Sequence, residues 1–182
     1  MSESGKTPKN IVLIGFMGSG KTTVGRELHQ RLGYSLVDMD AVIEQREGKP
    51  ITKIFEELGE PAFRRMEREL LTEMAENDDG RRIISTGGGV VIGDGNRQLL
   101  RELGYVVWLH APIETILERT SRNRDRPLLN GENAAERARE LLEQRKPWYA
   151  QAAHLKVDTA GLDSAEVATG ILESARYFFT RI

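Results

Sequence analysis

Cysteine is absent from the 182 residues, which excludes disulfides, thiolate metal sites and cysteine nucleophiles. No apolar run approaches the ~18 residues that a membrane-crossing helix needs. Met1 to Asn10 is polar and lacks the apolar stretch of a secretion signal. An excess of one charge is also missing: 26 Lys and Arg face 28 Asp and Glu, for a net charge of −2. No global field therefore draws the chain to nucleic acid. Internal repeats and low-complexity segments do not occur. These absences leave a soluble cytoplasmic protein as the expectation, with no nucleic-acid or membrane partner. Residues 1–9 read as a disordered tail, and 10–182 as a single domain long enough for a real core.

What is present centres on Gly15-Phe16-Met17-Gly18-Ser19-Gly20-Lys21-Thr22, which fits the phosphate-binding pattern G-x-x-x-x-G-K-S/T. Ile11 to Ile14 before it is a continuous β-branched and leucine run, the mark of a strand buried on both faces. After it, Val24, Leu28 and Leu32 recur at helical spacing, with Gly33 as the C-cap. Strand, loop and helix thus stand in the order a P-loop requires. Its glycines let backbone N–H groups approach phosphate oxygens, and the helix N-terminus adds its positive dipole end. Lys21 would reach the β- and γ-phosphates of a nucleotide, and the Thr22 hydroxyl would ligate Mg²⁺.

Further strands are expected at about 34–37, 82–85, 105–109 and 154–157. Between them lie helical segments at 41–47, 51–58 (with Thr52 as its N-cap), 60–76, one after Gly93-Asp94-Gly95 that carries Leu99, Leu100 and Leu103, 112–120, 134–145 (ended by Pro147) and 165–179. Strands alternating with helices predict a three-layer α/β sandwich around a parallel sheet. In such sheets ligands sit beyond the C-terminal ends of the strands. That rule gathers residues 15–22, 38–40, 86–89, 110–111 and 158–161 on one rim.

Several side chains on that rim suit phosphoryl transfer. Asp38 and Asp40 follow the second strand. If the segment is extended, both carboxylates share a face, one to hold Mg²⁺ through water and the other to orient or deprotonate an attacking hydroxyl. A capping or turn-forming pair is the plainer alternative. The third strand ends in Ser85 rather than in an acid, which makes Asp38 the metal candidate. Gly87-Gly88-Gly89 exposes backbone N–H groups to a ligand, or else is a flexible turn. Arg64 and Arg65 either grip a substrate anion or pair on the surface with Glu60, Glu67 and Glu69. The run holding Arg119, Arg122, Arg124 and Arg126 reads as a mobile lid at about 119–131, or as a solvated loop.

Taken together, Gly15–Thr22, Asp38-Met39-Asp40, Phe63-Arg64-Arg65-Met66-Glu67, Ser85–Gly89, Arg126-Pro127-Leu128-Leu129 and Arg145-Lys146-Pro147-Trp148-Tyr149 resemble the shikimate kinase family over nearly the whole chain after the tail. The resemblance implies a five-stranded parallel sheet of order 2-3-1-4-5, like that of nucleoside monophosphate kinases. It implies ATP and Mg²⁺ as cofactors and phosphorylation of the shikimate 3-hydroxyl. Gly18, Ser19, Gly20, Lys21, Thr22 and Thr23 would hold the ATP phosphates. Thr22, with Asp38 and Ser85 through water, would serve the metal, and Asp40 would bind and act on the substrate hydroxyls. Arg64 and Arg145 would clamp the carboxylate, with Gly87, Gly88 and Gly89 lining its pocket, while helices at about 39–76 form the shikimate-binding region. Arg126 would reach the transferring phosphate and Arg119 would lie on adenine. The loop Thr159-Ala160-Gly161-Leu162 lacks the basic side chain that family members often carry near adenine. Rival readings are a kinase of another small acid such as gluconate, a nucleoside monophosphate kinase, and a regulatory nucleotide-binding protein without turnover. A monomer is expected.

Overall fold

Period-two alternation in the central strands decides the architecture. In the computed structural model, which describes residues 10–122 and 131–180, strand β1 (Ile11–Ile14) is flanked by β3 (Arg82–Ser85) and β4 (Tyr105–His110). Strand β2 (Ser35–Asp38) lies outside β3 and β5 (Leu155–Asp158) outside β4, all parallel, giving the order 2-3-1-4-5. Val12 and Ile14 point into one core with Val106 and Trp108, while Ile11 and Leu13 point into a second with Tyr105, Val107 and Leu109. Both faces of β1 are therefore dry, which is why its sequence carries no polar alternation. Each such side chain, once fully buried, contributes roughly 1.5–3 kcal/mol.

The second core is covered by two helices, α1 (Lys21–Leu32) through Val24 and Leu28, and α8 (Ser164–Thr180) through Val167 and Ile171. The first core is covered by a larger set: α2 (Met39–Glu47), α3 (Ile51–Leu58), α4 (Glu60–Glu76), α5 (Asn96–Leu103), α6 (Ile113–Thr120) and α7 (Ala134–Ala152), with a 3₁₀ turn at Val90–Ile92. The α4 stripe of Phe63, Leu70 and Met74 is buried as its spacing predicts, with Met66 half-buried beside it.

Two local expectations fail. Helix α7 does not stop at Pro147 but runs through it to Ala152. Proline removes one i→i−4 hydrogen bond, yet Tyr149 and Ala152 beyond it are completely buried and hold the last turn in place. Thr52 does not cap α3, because the helix already begins at Ile51, after Pro50. The Ile51 N–H is met instead by the Glu44 carboxylate of α2, at 3.3 Å. The expected tail at 1–9, Arg126 and most of the expected lid lie outside the described residues.

Candidate active site

A cleft of about 910 Å³ is lined by the segments that follow β1, β2 and β3, together with α2, α3, α4 and one residue each from α6 and α7. Its floor is the P-loop. Gly18 and Gly20 adopt left-handed φ angles of 75° and 98°, and a Cβ on Gly18 would stand 2.8 Å from the Thr120 methyl group. Helix α1 starts directly after Gly20 with no side-chain cap and no acidic residue in its first turn. Its first N–H groups and dipole end are thus left to an anion. Lys21 curls over the same loop, donating to the Gly15 carbonyl at 2.6 Å and the Phe16 carbonyl at 3.0 Å. Gly18, Gly20, Lys21, Thr22 and Thr23 all line the cleft, whereas Ser19 lies beneath the loop, 1% exposed.

The aspartate pair reaches the cleft by a route other than an extended segment. Strand β2 ends at Asp38, which becomes the N-cap of α2 by accepting the Ala41 N–H at 3.1 Å. Asp40 therefore sits in the first helical turn rather than two residues along a strand. Both carboxylates still line the cleft, so for Asp38 the capping role and a place at the cleft are compatible. Asp38 and Ser85 are side by side in the β2–β3 register. With the exposed Thr22 hydroxyl they form a set of hard oxygen donors suited to Mg²⁺. Among the described residues no group of three or more acidic or histidine side chains could hold a metal. Sparse protein ligation of this kind is how Mg²⁺ binds when phosphates and water complete its shell, so the residues fit that ion.

The far wall is built on Gly87. A Cβ there would stand 2.7 Å from Glu67 Oε1 and 2.8 Å from Asp40 Oδ1, and both of these buried oxygens lack a hydrogen-bond partner among the described residues. Burial, then the Asp38 charge, raises the Asp40 carboxyl above its ordinary value, with Lys21 and Arg64 opposing. Burial also raises Glu67, against the pull of Arg64. Arg64 donates to Glu67 Oε2 at 2.6 Å and to Glu60 Oε1 at 3.0 Å. Burial works against its cation, but these two carboxylates outweigh that cost and hold it protonated. Arg145 from α7 is 2% exposed, stacks 5.5 Å from the Phe16 ring centroid, and has a buried Nε without a partner among the described residues. Tyr149, one turn on, donates its phenol to the Gly88 carbonyl. Two guanidinium groups, two carboxylates and the glycine run 87–89 thus face one space beside the phosphate loop, an arrangement able to hold a small polyhydroxylated acid.

The expected rim is only partly realised. Residues 110–111 and 158–161 do not line the cleft, because Arg119 comes between, reaching Gly18, Thr159 and the cleft itself. Arg65 is exposed and takes no part. Glu67 was legible only as a surface partner for the arginines, yet it is completely buried. Its spacing from Phe63, Leu70 and Met74 puts it on their inward stripe, and a charge on such a stripe is the available signal. Phe55, whose ring centroid lies 5.0 Å from that of Phe63, also lines the cleft and had no motif to mark it.

The shikimate kinase family profile matches residues 17–176. A shikimate kinase from Thermodesulfovibrio yellowstonii is 44% identical over 165 residues, covering 91% of this chain and 94% of its own. The solved shikimate kinase of Acinetobacter baumannii, in complex with shikimate, is 40% identical with a TM-score of 0.86, covering 95% of this chain and 96% of that one. A gluconokinase from Sinorhizobium meliloti matches with a TM-score of 0.56 at 20% identity, covering 97% and 98% of the two chains, a likeness of fold alone.

Proposed function

The chain belongs to the shikimate kinase family, and from that footing we propose which of its residues carry the reaction. The reaction moves the ATP γ-phosphate to the 3-hydroxyl of shikimate, giving shikimate 3-phosphate and ADP, a step of chorismate and aromatic amino acid biosynthesis. The observation that supports our assignment most is the convergence at Gly87: two carboxylate oxygens, from Asp40 and Glu67, without a hydrogen-bond partner among the described residues, beside the Arg64 guanidinium.

Asp40 accepts hydrogen bonds from the ring hydroxyls and takes the 3-hydroxyl proton at its carboxylate as the oxygen attacks. Arg64 and Arg145 clamp the carboxylate, which selects an acid over a neutral polyol. The backbone of Gly87 to Gly89 closes the pocket. The P-loop N–H groups of Gly18 to Thr23 and the Lys21 ammonium hold the ATP phosphates and stabilise charge on the transferring group. Thr22, with Asp38 and Ser85 through water, would hold Mg²⁺, which would supply charge neutralisation on the phosphate oxygens. Arg119 lies against adenine, and the role of charge partner to the transferring phosphate is assigned to Arg126 from the family resemblance alone. We also infer a cytoplasmic monomer. Among the described residues the exposed large apolar side chains Leu58, Leu162 and Tyr177 are scattered over different segments, as on an ordinary monomer surface.

A coupled assay of ADP release tests substrate choice directly, with ATP, Mg²⁺ and shikimate, gluconate or a nucleoside monophosphate. Turnover with shikimate alone is expected. Turnover with gluconate, or ATP binding without turnover on shikimate, would mean that the carboxylate pocket is wrongly assigned.

A further inference from the structure

Thr159, the first residue after β5, is 3% exposed and belongs to no motif. Its side chain touches three other parts of the molecule. The hydroxyl lies 3.1 Å from the His110 carbonyl at the end of β4 and 3.5 Å from the Ser19 carbonyl in the P-loop. It also accepts from Arg119 Nη1 at 3.3 Å, while Arg119 Nη2 lies 3.5 Å from the Thr159 carbonyl. A hydroxyl has one proton, so it can donate fully to only one of the two carbonyls, with its lone pairs left for the guanidinium. The His110 carbonyl is already met by the Thr159 N–H at 2.8 Å. The His110 carbonyl has a second lone pair and is the nearer of the two, 3.1 Å against 3.5 Å, so the hydroxyl proton fastens Thr159 to the end of β4.

Arg119 is the other half of the arrangement. Its Nη1 also donates to the Gly18 carbonyl at 3.1 Å. Both terminal nitrogens of a rigid planar group are thus tied, which fixes the plane of the guanidinium at the cleft wall beside Gly18. Stacking against a purine depends on that plane, because the attraction acts across the ring face. The loop after β5 has no base-contacting cation of its own, so orientation of Arg119 carries more of the load here.

We propose that Thr159 is a positioning residue for the nucleotide: its hydroxyl ties Arg119, and through Arg119 the Gly18 carbonyl of the P-loop, to the end of the sheet, setting the base-facing plane of Arg119. This rests on the proposed contact between Arg119 and adenine.

The test uses Thr159→Val, which keeps the shape and removes the hydroxyl, Thr159→Ser, which keeps the hydroxyl, Arg119→Ala, and the Thr159→Val/Arg119→Ala double variant of the full chain. Nucleotide affinity is read both as KM for ATP and by titration with a fluorescent ATP analogue. Thr159→Val should weaken ATP about three- to tenfold, the worth of one neutral hydrogen bond, with kcat and KM for shikimate within about twofold. Thr159→Ser should restore ATP affinity, and in the double variant the loss should not exceed that of Arg119→Ala alone. Unchanged ATP affinity in Thr159→Val, or equal rises in both KM values, would overturn the proposal while leaving Arg119 in place if Arg119→Ala still weakens ATP. Unchanged ATP affinity in Arg119→Ala would instead remove the adenine contact, and with it the role of Thr159 through Arg119. Fully additive losses would overturn the coupling between the two residues.

Discussion

Arg64 keeps its place in the cleft through a missing side chain as well as through its ion pairs. A Cβ on Gly89 would stand 2.4 Å from both terminal nitrogens of Arg64. The backbone at Gly89 has φ −102°, which any residue tolerates, so alanine there displaces the guanidinium without straining the chain. Gly89→Ala should therefore leave Tm nearly unchanged while raising KM for shikimate tenfold or more. The upper bound is roughly the hundredfold that loss of a charge-assisted contact of 1.5–3 kcal/mol gives. KM for ATP serves as the internal control, and a parallel rise in it would mean a general distortion instead. Asp40 carries a second prediction. Its carboxyl is raised above the ordinary value by burial, and next by Asp38. A base must be ionised to work, so kcat/KM for shikimate should fall as pH drops through that raised value. The acid limb is expected above the ordinary aspartate value of about 3.9. Glu44 also raises Asp40, so Glu44→Gln should move the limb to lower pH. A limb at or below the ordinary value would exclude Asp40 as the base.

At the scale of elements, proline and packing compete in α7, and packing wins. A proline inside a helix costs about 3 kcal/mol relative to alanine, offset by up to about 1 kcal/mol of unfolded-chain entropy. Pro147 is exposed, so alanine there meets no neighbour in the core. Pro147→Ala should stabilise the fold by about 2 kcal/mol, which for a chain of this length raises Tm by roughly 4–8 °C. A lower or unchanged Tm in a calorimetric scan would mean that the helix bends around Pro147 without losing stability. The same competition explains which elements were readable. The strand Ile11–Ile14 and residues 105–109 of β4 are apolar runs whose side chains all go into the two cores, so pattern and environment agree. The end of α7 was misread because the rule about proline is local, whereas the burial of Tyr149 and Ala152 against the sheet is not. The P-loop was legible because its backbone geometry demands glycine at fixed places, as the φ angles at Gly18 and Gly20 show. Asp38 and Asp40 were placed at the cleft for a reason that does not hold, since the helix cap rather than strand alternation brings them there. Glu67 shows the converse, a residue whose partner was named correctly while its burial was missed.

For the whole molecule, the parallel sheet separates chemistry from stability. The strands' C-terminal ends carry the cleft, and a second titratable group sits at the opposite end, where β5 begins. His154 precedes that strand, and its Nδ1 accepts the Val106 N–H of β4 at 2.9 Å, while its ring stacks on Tyr105 at 5.6 Å. An acceptor nitrogen must be unprotonated, and burial, with Arg101 adding to it, lowers the His154 pKa to about 4. In the unfolded chain the same imidazole titrates near 6.5. Above about pH 6.5 both states are neutral and the group's contribution is fully present. As pH falls from there toward 4, the unfolded chain takes up a proton that the folded chain refuses, and stability declines. Denaturation midpoints in urea should therefore drop between pH 7 and pH 4.5, and the drop should be smaller in His154→Gln, whose side chain can still accept from Val106 but does not titrate. Shikimate turnover of that variant at pH 7 should stay close to that of the parent, because the cleft lies at the other end of the sheet. If the two proteins lose stability in parallel over this range, the acid sensitivity belongs to other groups, and the Val106–His154 contact does not govern it.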